Sequence, residues 1–314
     1  MKLFERAALA VAAVTLGILL WTLDPAAVLR MVLGVGWGMA LILAQEIVAH
    51  VFNALGWRFA FAPGQTEAFP LAELVKLRIA GDAVNYLTPS GTIAGEFTRT
   101  AMLNDSHRME VRAASVVIAK CAQTLAQILF SATGVLVVFG GDFGRLPGPA
   151  WAAVAVAAMI AALWFAWSRL RRPTALPAAA AAASGFRAVL AASREFVSRY
   201  PERFALSTAM FVLGYAWGAF EAYWICRFIG LPVGAGTALT IEALSTAVDG
   251  LLFMVPAKIG TQEGGKAAVF VALGLPAASG LAFGIVRHLR ELAWAAFGLL
   301  LRWTHQPASA SPAV

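Results

Sequence analysis

Apolar runs of about 20 residues recur along this chain, and at about 1.5 Å of rise per helical residue that length matches the hydrocarbon core of a bilayer. Such runs lie near residues 7–23, 33–57, 112–139, 149–168, 204–229 and 277–302. Two further stretches, residues 70–105 and 237–275, are apolar but interrupted by Pro, Gly and charged residues. They read as re-entrant or broken helices, which lipid tolerates only where protein or a polar cavity surrounds the freed backbone groups. Composition closes off the soluble alternative: 60% of the residues are hydrophobic and 13% charged, against roughly 45–50% and about 25% in soluble domains. The expected fold is an all-α integral membrane protein with six full spans plus two re-entrant helices, a single transmembrane domain over residues 1–314.

A formal net charge of +7 would point to nucleic acid in a soluble chain. Here the basic residues fall between apolar runs, so they imply an anionic leaflet and no nucleic acid. With the N-terminus in the cytoplasm, the inside segments collect sixteen Lys and Arg residues, and the outside segments only Arg30, Arg145 and Arg227. The positive-inside rule then puts both termini in the cytoplasm. Residues 2–23 have the basic start and apolar run of a signal peptide, but no small-x-small site follows closely, so a retained first helix is expected. Residues 173–183 are Pro/Ala-rich, and residues 185–203 mix apolar residues with four arginines. The second piece suits an amphipathic helix on the cytoplasmic surface, within a linker at 173–203.

Shifting the chain by 167 residues lays one broken stretch on the other: AGDAVNYLTPSGTIAGEFTRTA at 80–101 meets AVDGLLFMVPAKIGTQEGGKAA at 247–268. Asp82, Pro89 and Glu96 fall on Asp249, Pro256 and Glu263; Arg99 falls on Lys266 and Lys120 on Arg287. Asp and Glu together number only 17, so their agreement in register outweighs matches between alanines. By the basic count the two units, about 33–139 and 204–302, are inverted relative to each other. Inverted repeats with broken helices place a substrate site at the repeat interface.

In each copy the helix preceding Pro89 or Pro256 is long enough to reach roughly mid-membrane, and the proline breaks it by removing a donor and disfavouring helix at the residue before it. After Gly95 or Gly260 a second half-helix starts near Glu96 or Glu263. Its free N–H groups and dipole could hold an anion such as a lipid phosphate; in the plainer alternative the glutamates only cap it. The last run carries Arg287, Arg290 and Glu291 on one helical face. Charges at that depth must turn inward and be paired, either with Glu263 or Asp249 or with an anionic headgroup. The candidate substrate-binding charges are therefore Glu96, Arg99, Glu263, Lys266, Arg287 and Arg290. Glu46 and His50 also share a face, beside Asn53. E-x3-H is half a metal site without the H-E-x-x-H order or a third ligand, so buried polar packing or a proton relay, with Asp82 and Asp249 as further members, is preferred to a metal. Cys121 and Cys226 lie in apolar segments and read as inert thiols. With no nucleotide-binding glycine loop, no Ser/His/Asp arrangement and no paired CxxC in the sequence, no cofactor is expected.

The motifs GDAVNYLTPSGTIAGEFTRTAML, FMVPAKIGTQEGGKAAVFVALGLP and IVRHLRELAWAAFGLLL resemble the lysylphosphatidylglycerol synthase transmembrane-region family of bacterial membrane proteins, also called flippase-like. The resemblance covers most of residues 30–302 and carries over Asn85, Pro89, Gly95, Glu96, Pro256, Gly260, Glu263 and Arg287. Asn85 thereby joins the candidate substrate-binding residues, and Pro89, Gly95, Pro256 and Gly260 are the helix-break positions. Lys258 departs from the pattern, since the family more often shows PGGIG where this chain has PAKIG. What the resemblance implies is movement of an anionic or modified lipid between leaflets of the inner membrane by a protein that is not itself an enzyme. A membrane-embedded transferase or phosphatase acting on a lipid phosphate, with Glu96 or Glu263 as base, is the alternative, and a non-catalytic partner of a separate lipid-modifying enzyme is the third. A membrane lipid is the expected partner, and a homodimer is open to such a chain.

Overall fold

Asp24 and Pro25 open α1 (Pro25–Gly34): the Asp24 carboxylate accepts from the Ala26 N–H at 2.9 Å, and Pro25 sits in the first turn, where its missing donor costs nothing. Hydropathy alone gives no helix here, and Arg30, assigned to an outside segment, lies on it, 3.7 Å from Asp24. This computed structural model describes residues 24–66, 69–88, 93–103, 108–139, 186–251, 258 and 260–305, and every regular element among them is helical. The runs at 7–23 and 149–168, the segment 173–183, Pro89 and Pro256 lie outside the described residues.

The remaining helices are α2 (Gly38–Phe59), α3 (Leu71–Leu87), α4 (Ile93–Met102), α5 (Met109–Phe139), α6 (Phe186–Arg199), α7 (Pro201–Phe228), α8 (Ala235–Leu251), α9 (Thr261–Ala272) and α10 (Ala277–Thr304). Two of them, over Gly38–Phe59 and Met109–Leu136, are long and apolar enough to cross a membrane by length and composition. The 28-residue helices α7 and α10 are longer than α2, but Glu221, Arg287, Arg290 and Glu291 dilute their hydropathy. The two interrupted stretches form two pairs of shorter helices, α3 with α4 and α8 with α9.

Lipid tails are as apolar as leucine, so close packing and small residues hold such helices together. α2 and α7 run antiparallel in contact: Gly38 at the start of α2 meets the Phe228 ring at the end of α7, and Gly56 meets Phe211. α10 packs on α9, α3, α2 and α7, and α5 packs on α7 and α8. Two apolar cores result. One gathers Trp57, Phe61, Leu74, Ala122, Phe204 and Phe211; the other gathers Ile42, Ile225, Ile241, Phe270 and Phe283. Along α2 and again along α7, one core ends before the other begins, and the polar residues Glu46, Asn53 and Glu221 fall in the interval. The polar layer thus lies at mid-length of the two longest-paired helices.

α6 answers to the amphipathic segment, with its apolar side on protein: Phe196, Val189 and Ala192 join the first core against α5 and α7. Arg203, counted with that segment, belongs to α7 and donates to the Arg58 carbonyl at 3.2 Å.

Candidate functional site

Between the two cores is a cavity of about 630 Å³. α2, α3, α5, α7, α8 and α10 all contribute to its wall, as does Lys258. Six carboxylates line it, those of Glu46, Asp82, Glu221, Glu242, Asp249 and Glu291, with four cations, Lys120, Lys258, Arg287 and Arg290. Uncharged polar groups, among them Asn53, Gln123, Gln127 and Thr246, fill the rest of the polar surface.

The charges form two networks. In the first, Asp82 on α3 accepts from Arg78 one turn earlier at 3.0 Å and from Arg99 on α4; Arg99 also donates to Glu96 at 2.6 Å, and Lys120 of α5 lies 3.6 Å from Glu96. In the second, Arg287 donates from Nε and Nη2 to Glu221 at 3.1 and 2.7 Å and from Nη2 to Glu242 at 2.5 Å. Arg290 reaches Glu46 at 2.5 Å and Glu221 at 2.8 Å, and Lys258 joins Glu291 at 2.9 Å to Asp249 at 3.5 Å. Asp249 also holds Lys266, a lysine with no exposed surface, at 2.6 Å. Bare charges in a low-dielectric interior cost several kcal/mol each, so pairing is the condition on which these residues are buried at all.

Backbone geometry lets the pairs meet. The Asn85 side-chain oxygen accepts from the Gly95 N–H at 2.6 Å, which satisfies a first-turn donor of α4 from the neighbouring helix. A Cβ on Gly95 would run into the Gly81 carbonyl oxygen and the Asn85 amide, so this crossing of α3 and α4 requires glycine. Gly218 serves the second network in the same way, since a side chain there would occupy the place of the Glu242 carboxylate. Lys258 has φ of 51°, in the left-handed region that suits glycine.

The candidates named from sequence are distributed unevenly over this site. Arg287, Arg290, Asn85, Glu46, Asp82 and Asp249 line the cavity. Arg99 and Lys266 stand behind it as buried partners of Asp82 and Asp249. Glu96 and Glu263 are outside its wall: Glu96 is turned to Arg99 and Lys120, and Glu263 lies 2.5 Å from His288 Nδ1. Of the two alternatives for the α10 charges, an internal pair of Arg287 with Glu263 or Asp249 is corrected, because Glu221 and Glu242 are its partners. His50 is 3.8 Å from Asp82, outside hydrogen-bond range, with its ring centroid 4.8 Å from that of Trp294. Gly260 precedes α9 with φ of 74°. Arg78 and Arg99, two of the sixteen basic residues of the expected inside segments, are 3% and 2% exposed and belong to the buried network. Glu221 and Glu242 were not singled out from sequence, although a lone carboxylate within an apolar run is the signal for such a residue.

The sequence model of one family, described as "Lysylphosphatidylglycerol synthase TM region", matches residues 7–298. The chain belongs to that family. No curated protein and no solved structure is significantly similar to it. The match agrees with the resemblance carried by the two proline-centred motifs and the arginine of α10. As a lysylphosphatidylglycerol synthase TM region, the chain is a lipid-related membrane protein with transmembrane helices.

Proposed function

We propose that this protein is a lipid translocase of the bacterial inner membrane, moving an anionic or modified lipid between leaflets without transforming it. The observation that carries the proposal is the charged cavity at helix mid-length, walled by both members of the α2/α7 pair. A lipid headgroup crossing a bilayer has to exchange water for protein groups, since leaving a charge bare in hydrocarbon is prohibitive. Arginine suits a phosphate because it offers a planar fork of donors. Arg290 Nε has no partner among the described residues. In the alternative of a lipid-phosphate transferase, the base would be Glu96 or Glu263, and neither carboxylate reaches the cavity.

An inverted repeat is part of the same proposal. α2–α5 have 22, 17, 10 and 31 residues and α7–α10 have 28, 17, 12 and 28, the same long, short, short, long order. The Asp82–Arg99 and Asp249–Lys266 pairs stand 167 positions apart in both members, and α3 packs on α10 as α8 packs on α5. We infer six spans, cytoplasmic termini and a cytoplasmic linker at 173–203, with the cavity at the interface of the two units. The test is leaflet exchange of a fluorescent phosphatidylglycerol by purified protein in vesicles, with chemical analysis of the lipid afterwards. Exchange with unchanged lipid is the expected result; a new lipid product with no exchange overturns the proposal.

A further inference from the structure

Three carboxylates converge on the guanidinium of Arg290. Glu46 Oε2 from α2 and Glu221 Oε2 from α7 both accept from Nη1, at 2.5 and 2.8 Å, and Glu291 Oε1 lies 3.4 Å from Nη2. Two carboxylate oxygens on one nitrogen bring like charges together in a buried place, which favours uptake of a proton by one of them. The surrounding balance agrees. In the network joined to Arg287 and Arg290, five carboxylates (Glu46, Glu221, Glu242, Asp249, Glu291) meet four cations (Arg287, Arg290, Lys258, Lys266) among the described residues. Glu221 is 1% exposed, and its other oxygen, Oε1, has no hydrogen-bond partner among those residues.

A second observation comes from α2. His50, one turn beyond Glu46, is 7% exposed, and neither ring nitrogen is hydrogen-bonded within the described residues. The ring faces a smaller void of about 210 Å³ whose wall also includes Glu46, Asp82 and Arg290. A buried imidazole with both nitrogens unused, beside a polar void large enough for water, is placed to hand on a proton.

We propose that Glu46 and Glu221 share one proton, that His50 conducts it to and from the Asp82 side, and that uptake of this proton frees Arg290 to hold a lipid phosphate. The inference rests on the translocation reading for its lipid half and stands on the cluster alone for its proton half. The charged and titratable groups lining the two voids with the pair are His50 on α2, Arg78, Asp82 and Tyr86 on α3, Lys120 on α5, Tyr215 on α7, Glu242 and Asp249 on α8, Lys258, and Arg287, Arg290 and Glu291 on α10. When the proton is bound, one carboxylate becomes a neutral acid and loosens its hold on the guanidinium, whose donors turn to the phosphate. When the proton leaves through His50, the restored carboxylate recaptures Arg290 and the phosphate is released. One proton is taken up for each phosphate held and given back as that phosphate departs.

The test uses the full chain in phosphatidylglycerol/phosphatidylcholine vesicles, with two readouts. Infrared difference spectra at neutral pH in sodium-free buffer should show the carbonyl stretch of a protonated carboxylic acid, and Glu46→Gln or Glu221→Gln should abolish it. Leaflet exchange should fall about tenfold per pH unit on the alkaline side of its transition, the slope for one proton, and become independent of pH in Glu46→Gln. The absence of a protonated-acid band in the wild type overturns the inference, as does a band that survives in both variants or is removed by sodium. A band with the predicted mutant pattern in a protein that exchanges no lipid upholds the shared proton and sinks the translocation reading instead.

Discussion

Arg287→Lys tests whether the second network clasps three helices or merely neutralises charge. The Arg287 guanidinium on α10 spans Glu221 on α7 and Glu242 on α8, with three hydrogen bonds of 2.5–3.1 Å. Lysine keeps the charge but brings one terminal nitrogen, so it satisfies one carboxylate well and leaves the other underbonded. Hydrogen bonds to charged groups are worth about 1.5–3 kcal/mol each, so losing between one and two of them should cost about 2–4 kcal/mol. Arg287→Met strips both partners and should cost more, roughly the 3–5 kcal/mol of a broken buried pair. Unfolding by sodium dodecyl sulfate, followed by tryptophan fluorescence in mixed micelles, measures both. Repeating Arg287→Lys in a Glu242→Gln background should shrink the penalty, because the second arm of the fork then has less to hold. If Arg287→Lys costs less than about 0.5 kcal/mol, the range of ordinary surface substitutions, in both backgrounds, the clasp is not what joins α7, α8 and α10.

Gly95→Ala places a methyl group against the Gly81 carbonyl and the Asn85 amide and should cost roughly 1–3 kcal/mol by overpacking, read as lost monodisperse yield. Gly218→Ala should produce a defect of the same kind by pushing Glu242 off Arg287, and Glu242→Ala should relieve part of the crowding while leaving the arginine short of a partner. Lys258→Gly removes a left-handed lysine, a gain of about 1–2 kcal/mol, but gives up bonds to Glu291 and Asp249. Its stability in the same unfolding assay should stay within about 1 kcal/mol of wild type, because Arg290 and Lys266 still hold those carboxylates. Ser184→Cys, in a background lacking Cys121 and Cys226, should react with an impermeant thiol reagent only after the membrane is opened; labelling of intact cells would reverse the orientation.

Much of this architecture is legible in the sequence because membranes punish ambiguity. The bounds of α5, α7 and α10 follow the apolar runs closely, and the interrupted stretches do divide into pairs of helices. α1 escapes that reading because at 10 residues it is too short for a spanning criterion, though Asp24-Pro25 marks its start. The site divides along another line. Arg287 and Arg290 are visible as charges in an apolar run, but their partners depend on which helices lie side by side. Glu221 and Glu242 come from α7 and α8, and no spacing within one helix connects them to α10. Glu96 and Glu263 illustrate the converse, since equivalence in register says nothing of which way a side chain turns. Only their neighbours, Arg99 with Lys120 in one case and His288 in the other, fix that.

The place of α10 at the centre of the second ion network has a consequence for how the chain is made. α2 is synthesised with Glu46 and α7 with Glu221, and α8 follows with Glu242, yet the arginines that neutralise them arrive only at positions 287 and 290. Until then three carboxylates wait beside or inside the lipid without a cation. At the insertion machinery an acidic residue at the centre of a helix carries a penalty of about 2.5–3.5 kcal/mol. Helices α2, α7 and α8 should therefore linger at the protein-lined exit of that machinery, or hold their carboxylic acids protonated, and commit to the bilayer when α10 emerges. Nascent chains halted before Ala277 should remain extractable and protease-sensitive, whereas chains extended past Thr304 should close into a resistant bundle: α10 is the keystone of the helices around the cavity.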